Sequence, residues 1–186
     1  MIETSSKSIT LKDFLDLPET KPAKEYIKGK IIQKPMPRGK HSTIQTELST
    51  AINITLKSNK VARAFSELRC TFSDRSIIPD ISILRWNNIP RDNNGEIADS
   101  FYIAPDWVIE ILSPEQSQTK VVKNILYCLD NGTEIGWLID PNDKSVFIYF
   151  AQQKTLLFEA ENDILPVPDF AKSFNLTVGE LWAFLL

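Results

Sequence analysis

Several things are scarce in this 186-residue chain, and each scarcity narrows what it does. It holds one histidine, His41, and two cysteines, Cys70 and Cys128. The cysteines form no CxxC pair, and with a single imidazole they cannot complete a four-ligand zinc site. No Ser-His or Cys-His triad stands out either, since His41 is the only imidazole and both cysteines lie in apolar stretches. The six glycines are nowhere clustered, which removes the phosphate-cradling loops of ATPases, kinases and dinucleotide enzymes, and with them a nucleotide cofactor. No run approaches about 18 apolar residues, so no membrane-spanning helix is expected. The opening MIETSSKSIT has no basic stretch leading into an apolar one, so no signal peptide is read there. Two thiols with no disulfide framework point to a reducing, cytoplasmic setting.

What remains is an ordinary globular balance, 42% hydrophobic and 24% charged, in a length that suits one domain. Net charge is −3, which argues against a generally basic nucleic-acid coat. The charge is unevenly placed. Lys21 to Lys40 holds seven basic residues and one acid, Glu25, so the remainder carries −9. Lys28, Lys30, Lys34, Arg38 and Lys40 in that strip are candidate contacts to a phosphate backbone.

The patterning predicts a mixed α/β fold. Thr10 to Leu17 is a short capped helix. Tyr26-Ile27 and Ile31-Ile32 flank Lys28-Gly29-Lys30 as a hairpin. His41 to Lys57 has apolar residues at three- and four-residue spacing, an amphipathic helix. Val61 to Phe72 is read as one strand, Ser73 to Ser76 as a turn, and Ile78 to Leu84 as the next strand. A loop of about 20 residues follows, then the nearly continuous apolar strand Trp107 to Leu112. Ser117 to Leu129 is a helix, Ile135 to Ile139 a buried strand, Val146–Phe150 with Thr155–Phe158 a hairpin, and Thr177 to Leu186 a terminal helix. The core order is helix, strand, strand, strand, helix, strand, flanked by hairpins and helices within one domain. Its parts are an N-terminal helix and basic hairpin arm over 1–40, a core over 41–141, and a C-terminal hairpin and helix over 142–186.

Two carboxylates interrupt apolar strands. Asp80 follows Pro79 into Ile81-Ser-Ile-Leu84, and Glu110 breaks Val108-Ile-Glu-Ile-Leu112. A carboxylate in a buried strand is costly unless it is paired or binds metal. Two on neighbouring strands can converge on one hard cation such as Mg²⁺, the arrangement that supports phosphodiester hydrolysis. A nearby lysine would orient water or stabilise developing charge, and the helix after Glu110 offers Lys120 and Lys123. Ion-paired strand carboxylates and solvated helix lysines remain the plain alternative.

These segments resemble the PD-(D/E)XK nuclease superfamily, and more closely its Uma-two family. The likeness is carried by Glu25-Tyr-Ile-Lys-Gly29, His41 opening a helix, and Ile78-Pro-Asp-Ile-Ser-Ile83. It extends to Val108-Ile-Glu-Ile-Leu-Ser-Pro114, Lys123 with Tyr127 and Gly132, Gly136-Trp-Leu-Ile-Asp-Pro141 and Leu165-Pro-Val-Pro168. The resemblance implies a restriction-endonuclease-like core in which Asp80 and Glu110 bind Mg²⁺ or Mn²⁺. Leu112 holds the motif's third position, so the lysine has migrated; Lys123 matches by its spacing to Tyr127, with Lys120 the alternative. Glu25 and His41 match recurring family positions. The implied activity is a divalent-metal-dependent endonuclease that cuts DNA by metal-activated water, working as a homodimer. The alternative is a catalytically degenerate module that binds nucleic acid or a protein partner.

Overall fold

The computed structural model describes residues 9–114 and 116–186. The opening residues read for a signal peptide, Met1 to Ser8, and Glu115 of the Ser113–Thr119 connection lie outside the described residues. Among those described, no helix is long and apolar enough to cross a membrane.

The chain begins with α1 (Leu11–Leu15), closed by the expected capping box between Thr10 and Asp13. The hairpin β1 (Lys24–Ile27) and β2 (Lys30–Gln33) follows, turning on Lys28 and Gly29, both at positive φ. Next comes the long helix α2 (Gly39–Leu56). Its buried stripe Ile44, Leu48, Ile52 and Leu56 recurs at the helical period.

The segment expected as one strand from Val61 to Phe72 is two. β3 (Ala62–Ser66) and β4 (Cys70–Phe72) are separated by Glu67, which takes a left-handed φ of 50°. That conformation ends a strand for an L-residue. The turn expected over Ser73 to Ser76 is shorter. Ser73 turns at φ 50°, and Arg75 already starts β5 (Arg75–Ile77). The strand expected from Ile78 begins later, as β6 (Ile81–Arg85). The remaining elements are β7 (Trp107–Ile111), α3 (Gln118–Asp130), β8 (Ile135–Asp140), β9 (Ser145–Phe150), β10 (Leu156–Phe158) and α4 (Val178–Ala183), with α4 held by a second capping box between Thr177 and Glu180.

Two sheets result. One has the order β10-β9-β8-β7-β6-β3, with β7 and β8 parallel and the other pairs antiparallel. The parallel pair requires a crossover, which α3 supplies. The other sheet is antiparallel, β2-β1-β5-β4, so the basic hairpin is bound into it through β1–β5 pairing. The expected order of helix, three strands, helix and strand runs through α2, β3, β6, β7, α3 and β8.

The larger sheet is buried on both faces. Trp107, Ile109 and Ile111 of β7 pack in the main core with the α2 stripe, Ile81, Ile83, Trp137 and the C-terminal Leu181 and Trp182. Val108 and Leu112 pack on the other face against Val121, Ile125 and Leu129 of α3. Alternation along a strand therefore sends Glu110 to the α3 face. Gly136 lets α3 sit close: a Cβ there would collide with the Ile125 side chain and touch Val108.

Candidate active site

The two sheets are joined by three residues, Ile78-Pro79-Asp80, and the candidate site is built on that joint. β5 ends at Ile77 in the small sheet, and β6 begins at Ile81 in the large one. The main chain of the joint is bonded from three directions. Glu25 of β1 accepts from Ile78 N–H at 2.8 Å. Lys34, just past β2, donates to Ile78 C=O at 2.5 Å. Gln45 of α2 donates to Asp80 C=O at 2.8 Å. Pro79 leaves no N–H to satisfy.

Asp80 is held as tightly by its side chain. Ile111 N–H of β7 donates to Oδ2 at 2.8 Å. Lys34 Nζ lies 2.8 Å from Oδ1, with the lysine side chain 12% and the aspartate 3% exposed. His41 is buried where it opens α2. Its Nε2 lies 3.4 Å from the same Oδ1, at ion-pair distance but without hydrogen-bond geometry, and its Nδ1 lies 3.2 Å from Ser113 Oγ. Glu110 is next to Asp80: Asp80 N–H approaches its Oε2 at 3.4 Å. Glu110 is buried, yet it lines a cavity of about 970 Å³.

The electrostatics follow from this crowding. Burial pushes Asp80 up, but the Lys34 ammonium and the His41 imidazole outweigh it and hold the carboxyl well below the usual range. Burial lowers Lys34, and Asp80, Glu110 and Glu25 together more than offset that, keeping it an ammonium. Glu110 is pushed well above its ordinary value, first by burial and then by Asp80 and Glu25, with Lys34 opposing. Glu25 is raised by burial, against the pull of Lys34 and its bond to Ile78. Three buried acids thus share one lysine, and the charge is short of balance on the cationic side.

That shortage is the test of whether a divalent ion fits. Asp80, at the joint leading into β6, and Glu110, on the adjacent β7, offer hard oxygen donors, and Glu110 opens onto the cavity, so the donor chemistry suits Mg²⁺ or Mn²⁺. No group of three or more His, Cys, Asp or Glu among the described residues is already gathered as a ligand set. An ion would be held by these two carboxylates, with water and substrate oxygens completing its shell.

The expected site residues fall into two groups. Asp80, Glu110, Glu25 and His41 are brought together around the joint. Lys120 and Lys123 are exposed on α3 and line the cavity, but neither is hydrogen-bonded or ion-paired to Asp80 or Glu110. Lys28 and Lys30 line it from the exposed hairpin, and Lys40 is exposed on α2. Arg38 is exposed as well. Lys34 departs from its expected role: it is a half-buried, ion-paired partner of Asp80, because the hairpin lies across the joint instead of standing out in solvent. Nothing local marked it, since one basic residue among seven in a basic strip reads as solvated. Tyr127, the residue from which Lys123 was placed, fastens α3 to the small sheet. Its hydroxyl lies 3.0 Å from Phe72 C=O and 2.9 Å from Asp74 Oδ1, and the Arg75 guanidinium sits 3.8 Å over its ring.

Comparison with known proteins agrees with this architecture. Residues 11–179 match the family model Uma2, described as putative restriction endonuclease. A crystal structure at 1.96 Å of a putative nuclease belonging to DUF820 from Anabaena variabilis ATCC 29413 is 60% identical. It covers 96% of this chain and 99% of its own, with a TM-score of 0.94. Among curated proteins there is no match.

Proposed function

This chain belongs to the Uma2 family of putative restriction endonucleases, and on that premise we propose that it is a divalent-metal-dependent nuclease acting on DNA. The observation that supports this most is the placing of Asp80, at the joint leading into β6, beside Glu110 of the adjacent β7: two buried carboxylates, of which Glu110 lines a lysine-rich cavity. A bound Mg²⁺ or Mn²⁺ supplies Lewis acidity toward the phosphate and lowers the pKa of water. Asp80 and Glu110 hold it. Ile111 N–H, Lys34 and His41 aim Asp80, and the joint they fix keeps the carboxylates from drifting apart. Lys28 and Lys30 on the hairpin, with Lys120 and Lys123 on α3, bind the sugar-phosphate backbone from opposite sides of the cavity.

In the reaction a water oxygen bonds to phosphorus and the bond from phosphorus to the leaving sugar oxygen breaks. One water proton is lost to solvent, and the leaving oxygen takes one up. Cleavage of both strands needs two such sites, which a homodimer would supply. Both cysteines are buried and free, which suits the reducing cytoplasm. The rival reading is a module that binds nucleic acid without cutting it. The exposure of Lys120 and Lys123, away from the carboxylates, is the feature that favours it.

Plasmid nicking with Mg²⁺ or Mn²⁺, measured on wild type, Asp80→Ala and Glu110→Ala, separates the two. Cleavage by wild type that both substitutions abolish is expected. Equal rates in all three would overturn this site, and DNA binding with no cleavage under any divalent ion would establish the binding module instead.

A further inference from the structure

We propose that Lys34 is the lysine that works at the reacting phosphate, reaching the site from the N-terminal hairpin and not from α3; this rests on the nuclease reading above. A lysine side chain is seldom drawn this far out of water: here it is 12% exposed and ion-paired to Asp80, the buried carboxylate next to Glu110. Two of its three N–H groups are committed, to Asp80 Oδ1 and to Ile78 C=O. Among the described residues the third has no acceptor, and the side chain lines the cavity together with Glu110.

No other described lysine contacts Asp80 or Glu110. The position two after Glu110 is the apolar Leu112, which packs against α3. Lys120 and Lys123 lie exposed on the cavity's far wall, where they meet backbone phosphates as mobile point charges.

The role follows from the pairing. Lys34 donates a charge-assisted hydrogen bond to a non-bridging phosphate oxygen as negative charge builds there. The backbone bond to Ile78 fixes the ammonium before substrate arrives, so little reorganisation is left for the reaction. Lys123 then contributes to binding, and Lys34 to the chemical step.

The test uses full-length wild type, Lys34→Gln, Lys34→Arg and Lys123→Ala. Circular dichroism checks folding, calorimetry reads Mn²⁺ affinity without DNA, and steady-state kinetics read cleavage. Lys34→Gln is expected to lose about 10²- to 10³-fold in kcat, with KM within about threefold. Lys34→Arg, which keeps the charge, should recover at least about tenfold of that loss. Lys123→Ala should raise KM and leave kcat within about threefold. A folded Lys34→Gln with kcat near wild type, or a larger kcat loss in Lys123→Ala, overturns the proposal. If Lys34→Gln does not fold, Lys34→Met, which keeps the apolar stem, replaces it under the same criteria. If wild type does not cut at all, the nuclease reading fails, and Mn²⁺ affinity judges Lys34 alone. Removing an ammonium beside Asp80 should then tighten Mn²⁺ by about tenfold; unchanged or weaker binding overturns its place at the ion site.

Discussion

The cavity has two basic walls, and they are built on opposite principles. On the hairpin wall, Lys34 and Glu25 are drawn inward to main-chain and side-chain partners on the joint between the sheets. On the α3 wall, Lys120 and Lys123 project outward, while the helix is anchored by apolar Val121, Ile125 and Leu129 and by Tyr127. The same residue type therefore does different work on each side. A lysine drawn mostly out of water and bonded twice gives up hydration, which its pairing with Asp80 offsets. An exposed lysine costs nothing to keep and reports little on mechanism.

The largest expected break in this comparison is catalytic. Asp80→Asn and Glu110→Gln should each reduce cleavage by about 10³-fold or more, read in a nicking assay. Their stabilities should move in opposite directions in metal-free buffer. Asp80→Asn strands Lys34 without its charge partner and should cost about 3–5 kcal/mol by urea unfolding. Glu110→Gln removes a buried carboxylate crowded by Asp80 and Glu25, and should raise the melting temperature. A loss of stability in both would show that Glu110 is a structural anchor.

Next in size is the packing of the α3 wall. Gly136→Ala forces Ile125 to move and should cost about 1–3 kcal/mol, measured by the same unfolding experiment. An unchanged midpoint would mean that α3 can shift outward freely. Smaller still, replacing any one of Lys28, Lys30, Lys120 or Lys123 by Ala should weaken DNA binding and reduce the slope of log K against log salt by about 1. Lys123→Ala should leave stability within about 0.5 kcal/mol.

The two buried thiols give the smallest effect. Burial pushes the Cys70 thiol up to about 11 from an ordinary 9.0, and Cys128 well up too, with Glu110, Cys70 and Glu25 adding to its burial. Both should resist thiol reagents at pH 8 until the chain unfolds. A raised thiol favours the fold below its unfolded value, so this contribution is complete below pH 9 and fades as pH rises toward 11. Rapid labelling of either cysteine in the native protein would show that the packing around it opens.

Much of this was legible locally. Capping boxes at Thr10 and Thr177, the helical period of Ile44 to Leu56 and the apolar run around Glu110 depend on neighbours a few residues away. Asp80 and Glu110 stood out because a charge inside an apolar strand is costly on any account. The break at Glu67 and the second sheet did not stand out, since a left-handed residue inside a β-rich stretch leaves no clear trace when it is not glycine. Lys34 left none at all.

By itself, then, the sequence determined the helices, the buried strands, the two carboxylates that do not belong in them, and the family. These are periodic or compositional facts that short stretches of chain carry. Only the tertiary structure decided which cation meets Asp80. Lys34 is separated from Asp80 by 46 positions, and the two meet because β1 pairs with β5 and swings the hairpin across the joint. Charge pairing acts over a few ångströms of space, and no local pattern records which distant segments a sheet will bring within that reach.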